Sequence, residues 1–237
     1  MALLPDGFAN FDPNMKAIVM IIGDEILSGN TMDSNTAYIA THLKNIGIPV
    51  AKVYTIPDER EDIGQTLATA IDEGDIIITT GGLGPTRDDK TKMALAEFFG
   101  DRLITDAETL HHLKNLLIKR NRLHLLEINK GQAEVLSGAR IIQNEYGTAP
   151  CQMIEYKNKL IFSLPGVPSE VKPLIREKII PLIRKRFHLD FIVTRIVSVV
   201  GIPESVLAQQ IEDWELSLPE YISLSYLPVG TRIKLRI

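Results

Sequence analysis

Six apolar residues in a row, Ala17 to Ile22, carry no polar alternation, the pattern of a strand covered on both faces. Val50 to Ile56 and the β-branched run Ile76 to Thr80 read as two more strands. Between them the hydrophobic period lengthens. Ile39, Leu43 and Ile46 recur at helical spacing and Gly47 ends that helix. Ile63, Leu67, Ala70 and Ile71 form one stripe of a second helix, which Asp58-Glu59-Arg60-Glu61 opens with capping-box spacing. Lys92 to Phe99 gives a third, alanine-rich helix. Three strand-then-helix units predict a doubly wound, mostly parallel α/β sheet with right-handed crossovers.

The pattern stays regular further on. Asp106 to Ile128 predicts one long helix, and Gln152 to Tyr156 with Leu160 to Leu164 predict a hairpin turning at Lys157-Asn158-Lys159. Pro165-Gly166-Val167-Pro168 starts a helix over Ser169 to Phe187. After a boundary placed at His188, the chain reads strand (Phe191 to Val200), helix (Pro203 to Leu216) and two strands (Ile222 to Leu227, Arg232 to Ile237). The expected organisation is an arm at 1–15, an α/β domain at 16–188, and a small α+β domain at 189–237. That last part resembles the first half of a split β-α-β domain, so it is expected to be truncated and to pair with a second copy as a homodimer.

Composition narrows the functions. A net charge of −4 gives no general attraction to nucleic acid or to an anionic membrane. The single cysteine, Cys151, rules out an intrachain disulfide and fits a reducing cytoplasm. No apolar run approaches the ~20 residues that span a bilayer. Met1 to Asn14 carries two aspartates and no basic n-region, so it reads as a flexible arm rather than a leader. A cytoplasmic protein with a small-molecule substrate is expected, without direct nucleic-acid or membrane contact.

The candidate chemistry gathers after the third strand. Thr79-Thr80-Gly81-Gly82-Leu83-Gly84-Pro85-Thr86-Arg87-Asp88-Asp89 places three glycines within four residues, then a proline and two carboxylates. Strand, glycine loop and helix in that order present backbone N–H groups to a phosphate. The Walker pattern and the dinucleotide fingerprint are both excluded by the residues that follow. Bare carboxylates beside a phosphate repel it, which points to a metal between them. A plain tight turn capped by Asp88 or Asp89 fits the loop equally well.

In an open α/β sheet, ligands bind beyond the carboxyl ends of the strands. Gly23-Asp24-Glu25, Asp58, the glycine loop and Gly147 to Pro150 converge there, bringing Asp24, Asp58 and Asp89 to one edge. Asp58 serves equally as a cap of its own helix, and Asp33 and Asn35 also read as capping residues. The five histidines lack metal-ligand spacing, and nothing near Cys151 in sequence lowers its pKa, so an inert thiol is expected.

Together these residues resemble the N-terminal part of the competence- and damage-inducible CinA family, whose fold is shared with molybdopterin-binding proteins. The matching stretches are Gly23-Asp24-Glu25-Ile26-Leu27 with Asp33-x-Asn35, Asp58-x-Arg60, and the glycine loop to Asp89. Gln132-Ala133, Asn144-x-x-Gly147-Thr148-Ala149-Pro150, Leu164-Pro165-Gly166-Val167-Pro168-x-Glu170, Gly201-x-x-Glu204-Ser205 and Tyr226-Leu227-Pro228 continue the match. Two departures stand out: Cys151 replaces the family's usual glycine, and Met1 to Asn14 is extra. The resemblance implies a three-layer α/β domain followed by a small α+β domain. It implies hydrolysis of ADP-ribose to AMP and ribose 5-phosphate, in pyridine nucleotide salvage, with Mg²⁺ or another divalent cation (Co²⁺, Mn²⁺).

Carried onto matching positions, Asp58 and Asp89 are expected to be catalytic and to hold the metal; Asp24 is expected beside them as a catalytic residue, with Asp24 or Glu25 orienting the water or binding ribose hydroxyls. The substrate-binding set is Gly23, Glu25, Asp33, Asn35, Thr80, Gly81, Gly82, Gly84, Pro85, Asp88, Gly147, Thr148, Pro165 and Gly166. Full-length family members add a nicotinamide-mononucleotide deamidase domain, an activity not expected of residues 1–237. The rival expectations are pterin-phosphate binding or adenylyl transfer, and a non-catalytic accessory role in competence or repair.

Overall fold

The apolar run expected to be covered on both faces is covered on both: all six residues of β1 (Ala17–Ile22) are buried. Burial of this kind stabilises by about 1.5–3 kcal/mol for each large side chain. The computed structural model describes residues 15–86, 89–187, 189 and 193–237. The chain divides into two compact units, Met1–Asp190 and Phe191–Ile237. His188, the expected boundary, lies outside the described residues, as does the expected arm apart from Met15, which is buried in the core of the first unit.

After β1 come a one-turn helix α1 (Asp24–Leu27), α2 (Asn35–Lys44), β2 (Val50–Ile56), α3 (Arg60–Glu73), β3 (Ile76–Thr80) and α4 (Thr91–Phe99). Next are β4 (Leu103–Thr105), α5 (Ala107–Lys119), the short α6 (Leu126–Asn129), β5 (Glu134–Leu136), β6 (Arg140–Ile142), β7 (Cys151–Tyr156) and β8 (Lys159–Leu164). The main sheet has the order β2-β1-β3-β8-β7-β6. Its first four strands are parallel, and β7 runs antiparallel to both its neighbours. The fold is therefore the expected mixed α/β architecture around a mostly parallel sheet.

Alternation along the strands sorts the core into two layers. Val19, Ile21 and Ile78 pack against Ile39 and Leu43 of α2 and against the helical segment at 168–187. Ile18, Met20 and Ile77 pack on the other face against Ile63 and Leu67 of α3 and Leu95 of α4. The helix expected over Ser169 to Phe187 is realised as α7 (Pro168–Pro173), a π-helical stretch Leu174–Ile179, and α8 (Ile180–Phe187). The β7–β8 hairpin turns where expected, with Lys157 and Asn158 both at positive φ, 49° and 63°.

The long helix expected to Ile128 stops at Lys119. Asn121 adopts φ 54°, its N–H bonds Ile118 O at 2.9 Å, and the Arg122 N–H reaches Leu117 O at 2.8 Å. That pair of bonds is a Schellman stop with asparagine in the usual glycine position. The pair β4–β5 was not expected, three residues being too few to show a period.

In the second unit, β9 (Ile196–Val200), α9 (Glu204–Leu216), β10 (Ser225–Val229) and β11 (Arg232–Arg236) form a three-stranded antiparallel sheet, β10-β11-β9, with one helix. Leu207 of α9 joins Ile233 and Leu235 in its small core. Strands β9 and β10 start later than expected and β11 starts at Arg232 as expected, while Phe191 and Ile192 lie outside the described residues.

Candidate active-site cleft

The carboxyl ends of β1, β2, β3 and β8 share one edge of the sheet, and a cleft of about 570 Å³ opens there. Its floor is the glycine loop after β3. Gly81, at φ 110°, runs so close to β1 that a Cβ would overlap the Ile22 carbonyl oxygen. Its N–H bonds the Leu164 carbonyl at 3.1 Å, tying the loop to the end of β8. Gly82, also at positive φ, leaves room for Thr91 Oγ1 and for Asp58 Oδ2, which would stand 2.7 Å from a Cβ. On the far side, Thr91 Oγ1 donates to Gly81 O at 3.1 Å, fastening α4 to the loop.

Asp58 and Asp89 both line this cleft, and neither caps a helix in the way its sequence position promises. The N-cap of α3 is Glu59, with no side-chain capping bond. Asp58 instead accepts from the Lys90 N–H at 3.0 Å, across 32 residues of chain, at the start of α4. Burial pushes its carboxyl up to about 6, and the negative charges of Asp89 and Asp24 add to that, against the Lys90 N–H and ammonium. Asp89 accepts from Gly84 N–H at 2.7 Å, Thr86 N–H at 2.9 Å and Thr86 Oγ1 at 2.6 Å. It fastens the loop and does not cap α4, whose N-cap is Lys90. Lys90 Nζ pairs with Glu59 at 2.7 Å.

The remaining expected residues divide between two places. Gly23, Asp24, Glu25, Thr148, Pro165 and Gly166 line the main cleft with the loop. Asp33, Asn35 and Thr80 line a smaller cavity of about 60 Å³, which shares Glu25 and Gly166 with it. Asp33 accepts from the N–H groups of Asn35 and Thr36 at 2.8 and 3.1 Å, the capping role its position allowed. Buried Asn35 donates to Gly166 O at 2.8 Å, joining α2 to the loop after β8. Pro85 is exposed and belongs to neither cavity, and Asp88 lies outside the described residues. Gly147 is buried behind the wall, where its missing side chain makes room for the Glu170 carboxylate.

Among the wall residues outside the expected set are Gln132 and Glu170, both with polar side chains. Gln132 is buried, with 7% exposure, lines the cleft, and its Oε1 has no hydrogen-bond partner among the described residues. Lys92, itself buried, donates to the Gly131 carbonyl and so holds that turn against α4. Glu170 lines the cleft from α7 and accepts from Asn144 Nδ2 at 2.7 Å. The signal was present in the sequence, since both residues lie in matched stretches, but neither spacing marks a side chain as pointing into a cavity.

Among the described residues, no group of three His, Cys, Asp or Glu side chains is close enough to hold a metal by itself. Asp58 and Asp89 nonetheless fit a hard cation. They offer carboxylate oxygens beside the glycine loop, and Mg²⁺ characteristically takes one or two carboxylates and fills its other positions with water and substrate oxygens. Cys151 is fully buried, and burial pushes its thiol well above the ordinary range, so it takes no part in this site.

The first unit is a three-layer α/β domain whose main cleft opens at the carboxyl edge of a mostly parallel sheet. The chain belongs to the family described as the probable molybdopterin binding domain, whose model matches residues 18–185. It is 41% identical over 223 residues to a CinA-like protein of Flavobacterium psychrophilum, covering 94% of this chain and 53% of that protein. A CinA-like protein of Cytophaga hutchinsonii is 37% identical over 224 residues, with the same two coverages. The chain thus spans about half the length of these curated relatives. A crystal structure of the protein CinA with unknown function from Thermoplasma acidophilum is 32% identical, with TM-score 0.64, covering 71% of this chain and 99% of that one. Among the described residues, no helix is long and apolar enough to cross a membrane.

Proposed function

We propose that this chain hydrolyses the pyrophosphate bond of ADP-ribose, or of a related nucleotide, releasing AMP and ribose 5-phosphate. The observation that carries this reading is the facing arrangement of the glycine loop with Asp58, Asp89 and Asp24 around one cleft. Such a floor suits an anion, and such carboxylates suit a cation bridging to it. In this reading Asp58 and Asp89 hold a divalent ion, which when bound polarises a phosphoryl oxygen and makes water a better nucleophile.

The chain's own residues supply position. Gly82 and Gly84 make room for the Asp58 and Asp89 carboxylates beside the loop backbone, and Asp89 keeps the loop in that shape through Gly84 and Thr86. Asp24 and Glu25, exposed at the cleft mouth, orient the attacking water or bind sugar hydroxyls. Water adds its oxygen to one phosphorus as the bridging oxygen leaves with the other, and the proton passes to solvent or to one of these carboxylates.

Pterin-phosphate binding is the second reading, favoured by the family description itself. Incubation with ADP-ribose and Mg²⁺ or Co²⁺ separates the two. AMP as product supports hydrolysis; tight pterin binding without turnover of any nucleotide supports the second reading and overturns the first.

A further inference from the structure

The Glu170 side of the cleft is built differently from the loop side. Glu170 is half-buried on the first turn of α7, and burial raises its carboxyl above the ordinary value against the Asn144 hydrogen bond. Asn144, almost wholly buried, is itself fixed on three sides. Its Nδ2 donates to Ala149 O at 3.0 Å and to Glu170 Oε2 at 2.7 Å, and its Oδ1 accepts from the Tyr146 N–H at 3.1 Å. Gly147 packs directly on the carboxylate, where any Cβ would overlap it. Thr148 and the buried Gln132, whose Oε1 has no hydrogen-bond partner among the described residues, line the same cleft.

An ionised carboxylate only accepts hydrogen bonds, and it repels phosphate. This wall therefore favours a hydrogen-bond donor over a phosphate. Sugar hydroxyls and a base amino group both have that chemistry. Among the described residues, the cleft-lining side chains include no aromatic ring on which a base would stack, whereas Gln132 and Thr148 add polar groups suited to a polyol. Resting on the nucleotide reading above, we infer that Glu170, positioned by Asn144, binds sugar hydroxyls of the ligand while the glycine loop holds its phosphates.

The test pairs ligand trimming with protein trimming. Affinities are measured by calorimetry for wild type and Glu170→Gln with ADP-ribose, ADP, 2′,3′-dideoxy-ADP and IDP. Wild type is expected to prefer the hydroxylated member of at least one sugar pair, ADP-ribose over ADP or ADP over its dideoxy form, by about tenfold. Glu170→Gln is expected to lose that preference. If Glu170→Gln does not fold, Gly147→Ala displaces the same carboxylate and should also lose it. A sugar preference that survives both variants, or an effect confined to the ADP–IDP pair, overturns the inference and leaves the nucleotide reading standing. Failure of wild type to bind any of the four overturns that reading and the inference with it.

Discussion

Gly84 and Asp89 are joined by a 2.7 Å bond from backbone N–H to carboxylate Oδ1, and Thr86 closes on the other oxygen with its N–H and hydroxyl. The carboxylate is thus the clasp of the glycine loop. Asp89→Asn keeps one acceptor oxygen, but its NH₂ cannot accept from Thr86. Hydrogen bonds to charged groups contribute about 1.5–3 kcal/mol, less where water replaces them. Thr86 is exposed, so a loss of about 1–2 kcal/mol is expected from urea denaturation. An unchanged midpoint would mean that the clasp contributes nothing to the folded state.

Gly81→Ala should be far worse. The substitution asks an L-residue to hold φ 110° and drives its Cβ into the Ile22 carbonyl. Strand β1 is buried end to end and has no room to yield. A loss of about 3 kcal/mol or more, or failure to yield soluble protein, is expected. Thermal denaturation within about a degree of wild type would show that the loop can relax away from β1.

The core was legible because buried parallel strands announce themselves as unbroken apolar runs, as Ala17 to Ile22 does. The site was legible where its residues sit directly after such strands, as Gly23 to Glu25 and Gly81 to Gly84 do. What sequence withheld was pairing at a distance. Asp58 has the local spacing of a cap for α3, yet it accepts from Lys90, which only the sheet brings near. Gln132 and Glu170 reach the cleft through turns held by Lys92 and Asn144, contacts spanning 39 and 26 residues. Asn121 stopped a helix whose apolar period alone would have carried it further.

Glu170 makes a prediction for stability as well. Its folded-state pKa is raised, so ionisation costs stability that the protonated form does not lose. The penalty is absent below the ordinary glutamate value of 4.5 and sets in as pH rises through that value and the raised one. Glu170→Gln, which keeps an oxygen for Asn144, should therefore gain on wild type in melting temperature between pH 4 and about pH 7, with the gap opening upward. A gap that opens toward acid would reverse the assigned sign.

Cys151 lies wholly inside the sheet, and its thiol is held neutral by burial. A water-soluble thiol reagent should leave the native protein unlabelled and modify one cysteine after denaturation. Cys151→Ser places a hydroxyl in that apolar site and should cost about 1–3 kcal/mol by urea denaturation. Rapid labelling under native conditions would show that β7 opens locally far more easily than its burial implies.

The proposed cation site has a signature independent of turnover. An ion that binds only the folded chain raises its melting temperature by mass action, by about 1.4 kcal/mol at tenfold excess over the dissociation constant. For a chain of this length that is a rise of about 3–6 °C. Mg²⁺ should therefore raise the melting temperature of wild type, and Asp58→Asn should abolish most of the rise. That substitution removes a charge at the cleft while leaving an oxygen for the Lys90 N–H, so its own fold should survive. Asp33→Asn is the control, because the Asp33 carboxylate is occupied with the first turn of α2 and lines the smaller cavity instead. It should keep the Mg²⁺ response. Equal responses in all three proteins would remove Asp58 from the cation site, and equal absence of response would remove the site.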